Sequence, residues 1–174
     1  MTWNLDPTHS SVEFAVKHMI ISSTKGRFQR YDVQATIDEA NLANSQALVT
    51  IEAESVDTRD ENRDTHLRSA DFFDATNFPK ITFQTKSLEP KGGDDYKITG
   101  DLTIRGVTKQ IVLDGEVTGP VKDPWGGTRV GLSAHAKVNR KDWGLTWNSV
   151  LEAGGVLVGD DVRLNIETEL VKAA

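Results

Sequence analysis

Apolar and polar residues alternate with a period of two along most of the chain, which is the pattern of half-buried β-strands. Val12, Phe14, Val16 and His18 share one face of such a run, with Glu13, Ala15 and Lys17 opposite. After a turn assigned to Gly26, the pattern resumes at Tyr31, Val33, Ala35 and Ile37, and again at Ala47, Val49, Ile51 and Ala53. Ile81 and Phe83 begin a fourth run, ended by the turn signal Pro90-Lys91-Gly92-Gly93-Asp94. Tyr96, Ile98, Leu102 and Ile104 form a fifth, and Arg105-Gly106-Val107-Thr108 is a short hairpin loop into a sixth, Ile111, Leu113 and Val117. Pro124-Trp125-Gly126-Gly127 turns the chain into Val130, Leu132, Ala134, Ala136 and Val138, and Val162, Leu164 and Ile166 make the last run.

Roughly eight strands of about ten residues, joined mostly by short turns, predict an all-β, antiparallel domain. A flat sheet of that width would leave long edges and an uncovered apolar face. Closure into an eight-stranded barrel removes both, and the short connections favour it over a two-sheet sandwich. Residues 1–174 read as one domain, with no boundary or internal repeat.

Two excursions interrupt the alternation. Residues 58–75 predict a short helix, capped by Thr58, with Asp60 and Glu61 in its first turn and Pro79 ending the segment. His66 or Leu67, Ala70 and Phe73 recur at helical spacing, and an apolar stripe needs an apolar partner. The outer barrel wall is polar, so the open end of the barrel is the available place. Phe72, Phe73 and Phe78 are expected to reach that mouth, either as a lid or as a plug of the core. Residues 140–159 form a second helical or loop excursion, in which Arg140 and Asp142 are placed to pair and Trp143 and Trp147 bring large rings to a barrel end.

An eight-stranded barrel is either packed solid or holds one small ligand. Small inward positions (Gly100, Gly115, Ala134, Ala136) and widely spaced large ones (Phe14, Phe28, Phe83, Leu132) favour a hollow interior. Ten residues of strand span about 33 Å, so the hollow would be deep and narrow, the shape of a long hydrocarbon chain.

Composition removes several classes of function. The 174-residue chain carries a formal charge of −6 and no cysteine. The negative charge, with no run of Lys or Arg to offset it, argues against nucleic acid and against docking on anionic lipid. Thiolate metal sites and Cys nucleophiles are excluded. No apolar run is long enough for a membrane span. The opening MTWNLDPTHSS has no secretory signal, which predicts the cytoplasm, or the periplasm for a trimmed mature form. His9, His18, His66 and His135 show no metal-ligand spacing, and no nucleophile elbow, phosphate loop or dinucleotide fingerprint occurs. No cofactor, metal site or catalytic residue is assigned.

The segments LDPTHSSVEFAVKHM, RDTHLRSADFFDATNFPKITF, GDLTIRGVTKQIVL, NRKDWGL and GDDVRLNIETEL together resemble the YceI-like family from end to end. The resemblance implies a lipocalin-like barrel, a homodimer, a long isoprenoid lipid held inside and no enzymatic activity. It places the family's recurring polar positions at His18, His66, Arg105, Arg140 and Asp142, as scaffold or rim residues. The expected function is a module that binds, sequesters or carries a polyisoprenoid or an isoprenoid quinone. Phe14, Val16, His18, Met19, Phe28 and Phe83 are the expected lining residues of the first half of the chain. Leu102, Ile104, Leu132 and Ala134 are those of the second half, with Phe72, Phe73 and Trp143 closing an end. The alternatives are a lipid-modifying enzyme using His18 or His66, and a ligand-free structural or stress-related interaction protein.

Overall fold

The computed structural model describes residues 2–152 and 154–173. The first strands are β1 (Trp3–Leu5), β2 (Ser11–His18), β3 (Ser22–Phe28), β4 (Tyr31–Thr36), β5 (Gln46–Glu52) and β6 (Val56–Asp57). Helix α1 (Glu61–Arg68) follows, then β7 (Lys80–Gly92), β8 (Asp95–Ile104), β9 (Val107–Lys122), β10 (Thr128–Asn139) and β11 (Val158–Lys172). All pairings are antiparallel, in the order β4-β5-β7-β8-β9-β10-β11-β2-β3-β6, with β1 added on β11.

The named strands exceed the expected eight because three of them are pieces of bent strands. β1 and β2 both pair with β11, at its two ends (Leu5↔Leu170, Val12↔Ile166). β3 and β4 are halves of one strand bent at Gln29–Arg30. β5 and β6 are the halves of its partner, bent through a 3-10 turn at Ala53–Ser55. Because β3 pairs with β2 and β4 with β5, the bent strand joins the two ends of the order, and the sheet curls into a lipocalin-like barrel. Beyond the bend, β1 lies beside β4 with no ladder between them among the described residues.

Two sequence expectations change here. Gly26 is not a turn; it lies inside β3, opposite Phe14. The segment SSTKGRF lacks apolar alternation, so a period-two pattern gives it no weight; of its residues only Gly26 and Phe28 are buried. The helix is also shorter than 58–75. Asp60, not Thr58, caps it, its carboxylate accepting from the Arg63 amide at 3.1 Å. Thr58 is buried and donates from its amide (2.8 Å) and hydroxyl (2.5 Å) to Asp64, which faces inward. The helix ends at Ser69, ten residues before Pro79, and turns carry the chain through Phe72 and Phe73. No helix among the described residues is long and apolar enough to cross a membrane.

Candidate functional site

The barrel is hollow, enclosing a cavity of about 590 Å³. That lies within the roughly 300–1,000 Å³ of sites that take up one small ligand. Its wall is built from the inner faces of the strands, including Val12, Phe14 and Val16 of β2, Phe83 of β7, Leu102 and Ile104 of β8, and Leu132 and Ala134 of β10. Phe14, Phe83, Ile104 and Leu132 stay only half-buried inside a closed wall, since their free surface faces the lumen. One end is sealed by a second apolar cluster of Trp3, Val33, Val117, Val130 and Leu170. The opposite end carries the charged and polar wall residues Lys17, His18, Asp60, Asn62, Arg63 and His66, which mark the mouth.

Glycines keep the lumen open, though not by being small wall elements as expected. A Cβ on Gly26 would lie 2.3 Å from Cζ of Phe14, and one on Gly100 would lie 2.4 Å from Cζ of Phe83. Each ring therefore lies over a glycine of the wall instead of crossing the cavity. At Gly115 the space is filled by Ile98 and Leu132, at 3.0 and 3.3 Å.

At the mouth, α1 and the turn after it bring three rings together. His66 meets Phe72 edge-on with centroids 5.0 Å apart and Trp147 at 4.6 Å; Phe72 and Trp147 are 5.5 Å apart. A hydrogen bond of 2.9 Å joins His66 Nε2 to Asp71 and orients the imidazole. Phe73 packs on Phe28, and Phe28 on Phe14, each at 5.6 Å, so an aromatic run leads from the lid into the lumen. Arg105, in the β8–β9 hairpin, donates to the Phe72 carbonyl at 3.1 Å and braces the lid segment. Trp143 is 2% exposed and donates its indole N–H to the Leu102 carbonyl at 2.9 Å.

All the expected lining residues face the cavity except Met19. Met19 sits in the β2–β3 turn with a positive φ of 53° and is 42% exposed, because β2 ends at His18 and the alternation stops there. Phe78 also misses the mouth; its ring lies over Gly106, where a Cβ would be 2.8 Å from its Cε1. Strand-face residues such as Ile51, Ile81, Ile98 and Leu113 line it as well, and so does Trp147, which the sequence placed at a barrel end without naming it as lining. Its signal was its spacing of four from Trp143 in the same loop.

Arg140 holds that loop in place. It is 5% exposed and donates to the carbonyls of Gly159 (2.8 Å), Leu145 (2.7 Å), Trp147 (2.9 Å) and Val158 (3.4 Å). Its nearest carboxylate is Asp160, at 3.9 Å, and not Asp142, which is exposed. Burial moves the guanidinium below its ordinary pKa, with Asp160 opposing the shift. Asn148 adds a two-way clasp on β11, donating to the Val158 carbonyl (2.7 Å) and accepting from its amide (3.0 Å).

Residues 3–170 match the YceI-like domain. The chain belongs to the YceI-like family. UPF0312 protein SA2479 of Staphylococcus aureus (strain N315) is 39% identical over 168 residues, 96% of this chain and 95% of its own. The crystal structure of a Campylobacter jejuni YCEI protein is 38% identical, with a TM-score of 0.78 over 91% of this chain and 90% of that one. Two remoter structures share the fold. Burkholderia cenocepacia BcnA is 24% identical with a TM-score of 0.82 over 95% of this chain and 99% of that chain. A polyisoprenoid binding domain from Saccharophagus degradans is 16% identical with a TM-score of 0.73 over 97% of each.

In this YceI-like chain His18 lies on the rim and His135 points outward from β10. Among the described residues, Asp6, His9 and Glu169 come close enough to share a cation. Arg129 already fills that role, donating to Asp6 (2.9 Å), Glu169 (2.5 Å) and Asp123 (2.7 Å). The cluster therefore works as an ion-pair node between β1, β10 and β11.

Proposed function

We propose that this YceI-like protein binds a long-chain isoprenoid lipid, a polyisoprenoid or an isoprenoid quinone, in the barrel and sequesters or carries it. The observation that carries this reading is the mainly apolar cavity closed at one end by Trp3, Val33, Val117, Val130 and Leu170, with Lys17, His18, Asp60, Arg63 and His66 gathered at the other. Burying a hydrocarbon chain is worth about 0.8 kcal/mol per methylene. Ten methylenes would yield roughly 8 kcal/mol before the cost of ordering the chain is subtracted. A polar head would stay among His18, Arg63 and His66. The Saccharophagus degradans neighbour, named for polyisoprenoid binding, supports the ligand class. That neighbour is named for binding and not for a reaction, which supports binding over catalysis.

Native mass spectrometry of the purified protein, paired with organic extraction, tests the proposal. One long-chain lipid per barrel is expected, or saturable uptake of a polyprenol or isoprenoid quinone at one per chain. A barrel that arrives empty and takes up neither would reject it.

A further inference from the structure

Five of the eight exposed large apolar side chains among the described residues sit on two adjacent loops at the mouth. Met19, Ile20 and Ile21 form the β2–β3 turn, with Ile21 84% exposed. Val150, 82% exposed, and Val156 form the bridge that closes the neighbouring loop. The loops touch: the Met19 amide donates to the Leu157 carbonyl at 2.8 Å, and Ile20 lies over Gly155. Both border the cavity directly, since His18 and Leu157 line it. The turn is an unusual choice of residues. Met19 and Ile20 hold φ of 53° and 68°, a left-handed conformation that a β-branched side chain adopts only at a cost. Asn and Gly would fill it without that cost, so the apolar tip is maintained against local preference.

Behind this tip the register of the sheet lines up a row of cations. Lys25 pairs with Ala15, Ala15 with Arg163, and Arg163 with Lys137, so three cations lie in one row across four strands on the outer wall. Lys25 and Arg163 are exposed and have no ion pair among the described residues. Lys137 meets Asp161 at 3.7 Å, and Lys141 meets Asp160 at 3.3 Å; Glu152 lies on the loop itself. The row stands three residues back from Ser22, about 10 Å along the strand. An apolar tip inserted 5–10 Å past the headgroups would bring Lys25, at the β3 end of the row, near the phosphates. The charge of −6 argued against anionic lipid because no cations run together in the sequence; these are brought together by strand pairing.

We propose that this rim docks on an anionic phospholipid bilayer, the apolar tip entering the interface and Lys25, Arg163 and Lys137 meeting phosphates, so that the mouth opens onto the membrane. The purpose of docking rests on the lipid-binding reading, because an isoprenoid ligand resides in bilayers; the docking itself does not. Sedimentation with vesicles of phosphatidylcholine alone and of phosphatidylcholine mixed with phosphatidylglycerol tests it. The protein should bind the mixed vesicles and lose affinity as salt rises. The double variant Ile21→Ser/Val150→Ser should bind on the order of tenfold more weakly. Lys25→Ala and Arg163→Ala should each cost about fivefold. None of these residues lines the cavity, so isoprenoid uptake in detergent solution should be unchanged in every variant. Docking falls if the protein ignores mixed vesicles, or if the variants bind them as the parent does. It also falls if analytical ultracentrifugation shows a dimer that Ile21→Ser/Val150→Ser dissolves, since a second copy would then own the patch. An empty barrel that still binds vesicles would reject the ligand reading and leave docking standing.

Discussion

Phe14 and Gly26 act as one unit, because the ring needs the space a side chain would take. In Gly26→Ala the three atoms nearest the new methyl would all be ring atoms of Phe14, which borders the lumen and would have to shift into it. The expected result is a loss of about 1 kcal/mol in urea unfolding and a clear fall in ligand capacity. Gly100→Ala should cost more, roughly 2–3 kcal/mol, because its methyl also meets the rigid Gln84 carbonyl oxygen at 2.6 Å. Equal costs, or unchanged uptake in Gly26→Ala, would show that the rings do not define the lumen. Arg140 is the opposite case, a residue that cannot yield. Arg140→Met strands the carbonyls of Gly159, Leu145 and Trp147 and should cost about 2–4 kcal/mol. Arg140→Lys should recover less than half of that, since one ammonium cannot span acceptors that a planar guanidinium reaches together. A fully stable lysine variant would contradict this account of the loop.

At the scale of elements, the lid stands or falls with the contact between the turn after α1 and the loop that Arg140 anchors. Aromatic pairs contribute about 0.5–1.5 kcal/mol each beyond their buried area. Trp147→Ala removes the pairs with His66 and Phe72 and should speed ligand release by several-fold to about a hundredfold, with a smaller effect on stability. Stopped-flow displacement of a fluorescent long-chain lipid measures it; an unchanged release rate would leave Trp147 as wall rather than gate. The strands were legible because each wall segment, such as Val130–Val138, buries one face and wets the other. β3 was not, since SSTKGRF buries only a glycine and a phenylalanine and owes its strand to pairing with β2 and β6. The helix was over-extended because Ala70 and Phe73 fit a helical period, while the chain after Ser69 runs as turns that leave Ala70 exposed and Phe73 half-buried, held by Ser69 and Arg105. The residues named as lining, Met19 excepted, followed the strand faces, which is why the alternation reached them. Trp147 and the retreat of Met19 depend on how two loops end, which periodicity does not encode.

For the whole molecule, closure at the sealed end depends on charge. Arg129 on β10 ties the segment after β1, the β9–β10 turn and β11 through Asp6, Asp123 and Glu169. Asp123 is held below the usual carboxylate range, chiefly by Arg129, and Asp6 chiefly by the Thr8 hydroxyl, with His9 and Arg129 adding to it. Folded carboxyls with lowered pKa bind protons less readily than the unfolded chain. The stability they give is complete above the unfolded value of 3.8 and drains away as pH falls below it. His9 runs the other way. Its hydrogen bond to Asp6 raises its pKa above 6.5, so its share is complete below that value and is lost as pH rises through the folded one. The urea midpoint should therefore be highest between about pH 4 and 6.5, decline slightly as pH rises further, and fall steeply toward about pH 3. Arg129→Met removes the main cause of the Asp123 shift but leaves Thr8 and His9 on Asp6. It should lower the plateau and shrink the acid fall without abolishing it. His9→Asn should remove the gentle decline above neutral pH and keep most of the acid fall, because the Thr8 contact persists. If the parent midpoint is flat from about pH 3 to 5, or Arg129→Met shows the same drop, this end of the barrel, where β1, β10 and β11 meet, is held by its apolar cluster alone.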